Sequence, residues 1–203
     1  MEHDTAAKII NTAIPLFAKK GFVAVTIREV ADAAQINSSA ISYYFNGKEG
    51  LYHAALDKIF SPVTKLLSTV ETMTAVKPVE RLTLYARNIG TIHHECPFLA
   101  RIIHSELANP TRCGEIIIKK YIAQLYQFAC QSLREGIDSG EFSPDLNISY
   151  ATISLAGIMN FYFLATPLIK EFAQLSEQSD EEYISQALRI YLNGIKVREN
   201  PQT

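Results

Sequence analysis

Apolar residues recur every three to four positions along almost the whole chain, the period of one helix face, and nowhere alternate as a half-buried strand requires. Over residues 5–20, Ile9, Ala13, Leu16 and Phe17 share a face, and the run stops at Gly21, a residue suited to a helix C-terminus. Pro15 inside that run removes a backbone donor and predicts a bend. A second helix begins at Thr26, with Glu29 three residues later completing a capping box, and continues through Ile27, Val30, Ala31 and Ala34. Only Gln35-Ile36-Asn37 separates it from a third, over 38–44, capped by Asn37 or Ser38. Two short helices across so tight a turn form a helix-turn-helix, with Ala31, Ile36 and Ile41 expected where they cross.

Asn46-Gly47-Lys48-Glu49 opens a fourth helix that runs through Leu51, Ala55, Leu56 and Ile59. Longer helices are predicted over 78–94, 97–107, 115–139, 147–173 and 179–198, the last with Ser179 and Glu182 as a capping box, and Pro62 and Pro167 predict kinks. The expected fold is all-α: an N-terminal three-helix module over 1–47 followed by a larger helical domain over 48–203. No Gly/Ser-rich linker separates them.

The chain has 203 residues, 48% of them apolar and 20% charged, enough to bury a substantial core and unlike a disordered, collagenous or rod-like protein. Nineteen basic against 21 acidic residues give a net charge of −2, which excludes binding driven by a global positive charge but leaves room for a local DNA-reading face. Cys96, Cys113 and Cys130 are odd in number and far apart, and the opening MEHDTAAK has no apolar secretory stretch, so a reduced cytoplasmic protein is expected. Residues 146–169 carry no charge over about the length of a bilayer span. Asn147, Ser149, Thr152, Ser154, Asn160 and Pro167 inside the stretch favour a helix buried in protein, and no membrane partner is expected.

The richest chemical cluster is His93-His94-Glu95-Cys96, with His104 and Glu106 near in sequence. Adjacent histidines on a helix diverge by about 100°, and no His-x-x-x-His or Cys-x-x-Cys pair supplies converging ligands, so no metal site is expected. Nor is there a Gly-x-Ser-x-Gly elbow or a phosphate-cradling glycine loop. The chain is not expected to be an enzyme, and no cofactor is implied.

Thr26-Ile27-Arg28-Glu29-Val30-Ala31, then Ile36, Ala40-Ile41-Ser42-Tyr43-Tyr44-Phe45 and Lys48-Glu49-Gly50-Leu51, closely resemble the N-terminal DNA-binding domain of the TetR family of bacterial transcriptional regulators. The likeness runs in order and spacing from Ile9 to Tyr52, about a quarter of the chain. The sequence departs from the family pattern at Gln35-Ile36-Asn37, where Gly-Val-Ser is usual, and at Ser42, where Tyr is usual. The resemblance implies a DNA-binding regulator, most simply a dimeric repressor released from its double-stranded operator by a small organic effector. The alternative is a helical small-molecule- or metal-binding protein whose helix-turn-helix is structural or only protein-interacting.

In such a domain the third helix reads base edges, while cations, hydroxyls and helix N-termini hold phosphates. No charged residue lies between Gln35 and Gly47, so reading falls to Asn37, Ser38, Ser39, Ser42 and Tyr43. Phosphate contacts fall to Thr26, Arg28, Tyr44 and Lys48. Residues 1–50 hold five basic and five acidic side chains, so attraction must come from their arrangement. The family pairs through its last two long helices, which points to a homodimer through Ala151, Leu155, Ile158, Tyr162, Leu188, Tyr191, Leu192 and Ile195. Aromatic residues Tyr85, Phe98, Tyr121, Tyr126 and Phe163, with the polar groups His93, Arg101, His104 and Asn160, are the candidate effector-binding set.

Overall fold

The structure, a computed structural model, describes residues 2–71, 76–173, 175 and 179–197, excepting the side chains of residues 2, 3, 70, 71 and 179. Among these it contains nine helices: α1 (Glu2–Ala24), α2 (Ile27–Ala34), α3 (Ser38–Phe45), α4 (Lys48–Glu71), α5 (Pro78–Glu95), α6 (Leu99–Ala108), α7 (Arg112–Asp138), α8 (Ile148–Ile169) and α9 (Ser179–Ile195). No strand occurs among the described residues; Phe142 and Lys196 form one isolated antiparallel bridge. The all-α expectation therefore holds. By proximity the chain forms two compact units, Met1–Val63 with Cys96–Tyr121, and Thr64–Glu95 with Ile122–Thr203.

The first unit is built on α1, which packs against α2 and α6, while α2 packs against α3. Ile9, Ala13, Val30, Ala31, Ile41 and Leu51 supply its buried surface, with Ile36 half-buried beside them. The break in α1 falls at Gly21 (φ 74°, ψ 165°), not at Pro15, where the helix continues. A proline costs one hydrogen bond, but a positive φ takes the chain out of the helix outright. Gly50 lets the first turn of α4 follow α3 closely: a Cβ there would lie 1.8 Å from the Phe45 carbonyl oxygen.

In the second unit α5 packs against α8 and α9, which pack on each other. Leu82, Ile89, Leu133, Leu155, Met159 and Leu188 form its core together with Phe142, which is fully buried. A benzyl group so placed contributes roughly 1.5–3 kcal/mol, and the Phe142–Lys196 bridge holds its backbone. That bridge also ends α9 at Ile195, short of the expected 198, because Lys196 pairs with the Gly140-Glu141-Phe142 turn instead of continuing the helix. Arg198 and the Ser179 side chain, expected to cap α9, lie outside the described residues. Helix α7 starts at Arg112, three residues earlier than expected, because the Thr111 hydroxyl accepts the Gly114 N–H at 3.0 Å. Helix α8 stops at Ile169, just after Pro167, whereas the periodicity carried it to 173.

Candidate nucleic-acid interface and effector cluster

Helix α2 starts where the Thr26 hydroxyl accepts the Glu29 N–H at 3.1 Å. The Glu29 carboxylate meets the Lys20 ammonium at 2.5 Å and also the Thr26 backbone, and these partners, Lys20 foremost, hold its pKa below the ordinary carboxylate value. The capping box is present, and it draws in a cation from the end of α1. Helix α2 ends on Gln35 in the left-handed conformation (φ 54°, ψ 50°). The following Ile36 N–H returns to the Ala31 carbonyl at 3.0 Å, as in a Schellman closure, which glycine usually makes. Asn37 then caps α3, its Oδ1 accepting both the N–H and the hydroxyl of Ser39 at 2.9 Å.

These bonds sort the expected DNA contacts. Asn37 and Ser39 are engaged with each other through the Asn37 Oδ1, a bond that leaves the Asn37 amide nitrogen uncommitted. Ser38 and Ser42 are exposed on α3, and Tyr43 is 76% exposed with its ring edge-on to Tyr44 at 5.0 Å. Tyr44 is half-buried. Arg28 has a side chain 91% exposed, and its 4.0 Å approach to the also exposed Asp32 is too long and too wet to restrain it. Thr26 uses an acceptor lone pair as cap, which leaves its hydroxyl proton uncommitted by that bond. Lys48 is anchored at the start of α4: its Nζ donates to the Val23 carbonyl at 3.1 Å and stands 4.5 Å from the centre of the Phe22 ring. An ammonium has three donors, so Lys48 is held in place with donors to spare.

The candidate effector residues divide between the units. Phe98, Arg101, His104 and Tyr121 lie in the first: Arg101 and His104 are exposed, Phe98 is half-buried, and Tyr121 stacks on Phe60 at 4.9 Å. Tyr85, His93, Tyr126, Asn160 and Phe163 lie in the second. Tyr85 is part of the core there, its phenol pushed up to about 12 by burial, and Tyr126 donates to Ser149 at 3.0 Å on an exposed face.

Three of the nine converge. His93, 5% exposed, stacks on Phe163 with centroids 4.2 Å apart, and its Nε2 is 2.9 Å from Asn160 Oδ1. Because the Asn160 amide nitrogen donates to the Ala156 carbonyl at 2.8 Å, its oxygen is the acceptor, and the neutral ring carries its proton on Nε2. Burial lowers the His93 pKa, against smaller opposing effects of Asn160 and Asp180. His94, next in sequence, is exposed. Around this trio Tyr162 stacks on Tyr183 at 4.0 Å and donates to Asp180 at 2.8 Å.

Of the eight residues expected to pair two chains, Ala151, Leu155, Tyr162, Leu188, Tyr191 and Ile195 are buried within a single chain, and Ile158 and Leu192 are half-buried against the same core. The apolar side chains that α8 and α9 leave open are Tyr150, Ile153, Phe161, Leu168 and Ile190, each more than 60% exposed. Sequence pattern missed them because α8 is apolar all round: its 22 residues are long and apolar enough to cross a membrane, and no polar face marks its outer side. The burial in protein expected for this charge-free stretch is met on one side by this chain's own core.

Residues 9–55 match the family model described as bacterial regulatory proteins, tetR family. The chain is 28% identical to the "Probable HTH-type transcriptional regulator YttP" of Bacillus subtilis, covering 97% of this chain and 93% of that one. It is 26% identical to the HTH-type transcriptional repressor KstR2 of Mycolicibacterium smegmatis, over 70% and 69% of the two chains. Among solved structures, the fatty acid degradation regulator FadR from Bacillus halodurans superposes with a TM-score of 0.73 at 19% identity, covering 96% of this chain and 97% of that one. The ketosteroid transcriptional regulator KstR2 of Mycobacterium tuberculosis gives 0.71 at 20%, covering 95% of each. At such identities these two show the shared fold. With the helix-turn-helix capped and its outer face open, the chain carries the DNA-binding domain of the TetR family over residues 9–55 and is similar along nearly its whole length to helix-turn-helix transcriptional regulators.

Proposed function

We propose that this regulator is a cytoplasmic homodimeric repressor that leaves its operator when a small organic effector binds. The observation that carries the reading is the open face of α2 and α3, where Arg28, Ser38, Ser42 and Tyr43 stand free of other strong partners while the caps beneath them are satisfied. In this reading residues 1–47 read DNA and 48–203 bind effector and dimerise. Ser42, Tyr43, Ser38 and the Asn37 amide meet base edges; Thr26, Arg28, Tyr44 and Lys48 meet phosphates.

One helix-turn-helix makes few contacts, and two on one duplex face multiply them. A second copy of the chain is the occupant that fits the outer face of α8 and α9, because that face is apolar, continuous along α8 and free of charge from Ile148 to Ile169. A groove of about 320 Å³ lined in part by Tyr150, Ser154, Ile190 and Gly194 offers room for a side chain of the partner. His93, Asn160 and Phe163 suit an uncharged effector, offering a neutral imidazole, an amide and a ring. An effector that favours the form with mis-spaced recognition helices lowers DNA affinity by its differential binding, typically 1–3 kcal/mol. Repression follows from steric occupation of a promoter and accords with the repressors among its relatives.

The test is fluorescence anisotropy of the purified protein against duplex from upstream of its own gene, with scrambled competitor, at several salt concentrations. Tight, salt-dependent and sequence-selective binding is expected. Equal affinity for scrambled duplex across the upstream region, before and after refolding from denaturant to strip bound effector, overturns the repressor reading for that gene.

A further inference from the structure

Glu106 is 6% exposed, its carboxylate has no cationic partner among the described residues, and the DNA-binding reading gives it no task. Its oxygens are taken by neutral donors: the Tyr52 hydroxyl at 2.5 Å and the Thr111 hydroxyl at 2.9 Å on Oε1, and the Thr111 N–H at 2.8 Å on Oε2. The site is shaped around it. A Cβ on Gly114 would lie 1.9 Å from Oε2, so any larger residue in the first turn of α7 would force the carboxylate to shift. Burial and then the Glu106 bond push the Tyr52 phenol upward, so Tyr52 is the donor at any ordinary pH. Carboxylate to phenol is the stronger, charge-assisted kind of hydrogen bond.

From Tyr52 the contacts lead to Lys48. Its ring lies 4.7 Å from Phe17 and 4.9 Å from Phe22, at the end of α1. Phe22 in turn carries the Lys48 ammonium, which also donates to the Val23 carbonyl near the end of α1. Lys48 and Tyr52 are four residues apart and share one face of α4. One side of that face grips α1 and the other ends on α6 through Glu106, all within one compact unit.

We infer that Glu106, more than fifty residues beyond the helix-turn-helix, is a positioning residue for DNA binding: by fixing the Tyr52 ring it sets the aromatic seat that presents Lys48 to a phosphate. The inference rests on the reading that Lys48 meets a phosphate. Glu106→Gln keeps the shape but turns an NH₂ toward groups that are themselves donors, so one of the two sides, Tyr52 or Thr111, loses its acceptor. Tyr52→Phe cuts the same link from the other end and keeps the ring.

The experiment measures anisotropy of a labelled 30-base-pair duplex of arbitrary sequence at low salt and across a salt series, for wild type, Lys48→Ala, Tyr52→Phe, Glu106→Gln and the Lys48→Ala/Tyr52→Phe double variant. Thermal melting of each is recorded, with Phe60→Leu as a control that disturbs a buried ring of the same unit away from Lys48. Lys48→Ala is expected to weaken binding and flatten the salt dependence by about one counterion. Tyr52→Phe and Glu106→Gln are expected to weaken it three- to tenfold, the double variant no further than Lys48→Ala, and Phe60→Leu to lower only the melting temperature. Wild-type affinity in Tyr52→Phe and Glu106→Gln, or a further loss in the double variant equal to that of Tyr52→Phe alone, overturns the positioning role and leaves Lys48 in place. Wild-type behaviour of Lys48→Ala removes the phosphate contact and the inference together.

Discussion

The turn of the helix-turn-helix holds a residue in a conformation it resists. Gln35 closes α2 at φ 54°, ψ 50°, and its side chain is exposed. A left-handed backbone brings Cβ against the following carbonyl, which costs an L-residue about 1–2 kcal/mol. Replacing Gln35 by Gly removes that strain. Against it, glycine loses more backbone freedom on folding, worth roughly 0.5–1 kcal/mol. The balance is a stabilisation of about 0.5–1 kcal/mol, or about 1–4 °C in melting temperature for a chain of this size. Scanning calorimetry of wild type, Gln35→Gly and Gln35→Ala would measure it. Gln35→Ala is the control, since it keeps Cβ and hence the strain, and should melt within a degree of wild type. The Ile36-to-Ala31 closure stays in place in either variant, so duplex affinity should not change by more than about twofold. A Gly variant that melts at or below wild type, or an Ala variant that gains as much as Gly, would refute the argument, because then the backbone conformation is not what is strained.

Gly114→Ala drives a methyl into the Glu106 carboxylate and should cost about 1–3 kcal/mol, read as a lower urea midpoint; a stability equal to wild type would mean the α6–α7 corner yields freely. Burial lowers the His93 pKa, so below its ordinary value of 6.5 the unfolded chain takes up a proton that the folded chain refuses. Stability should therefore fall as pH drops through 6.5 and below. His93→Gln should flatten that part of the melting-temperature profile relative to wild type, and parallel profiles between pH 7.5 and 5.5 would contradict it. Ile153→Asp with Phe161→Asp places charge on the open face of α8 and should convert dimer to folded monomer in sedimentation, with a large loss of operator affinity; a dimer of unchanged strength would put the pairing face elsewhere.

What was legible in the sequence was local. The α2–turn–α3 unit, its caps at Thr26 and Asn37 and the strained Gln35 follow from residues within a few positions of each other, where hydroxyls, amides and backbone N–H groups meet whatever the rest of the chain does. Helix periods likewise marked most of the nine elements, with errors at ends that depend on a distant partner, as where Lys196 leaves α9 to bridge Phe142. The rest needed the tertiary structure. Nothing in the order of residues shows that Lys48 is pinned to Val23 and Phe22, or that Glu106 and Tyr52, 54 positions apart, share a proton donor and its acceptor. For α8, apolar on every side, the helical period cannot say which side turns inward. Only packing against α5 and α9 decided that Leu155 and Tyr162 are core while Ile153 and Phe161 stand outside, because burial is a property of what lies opposite a side chain and not of the side chain itself.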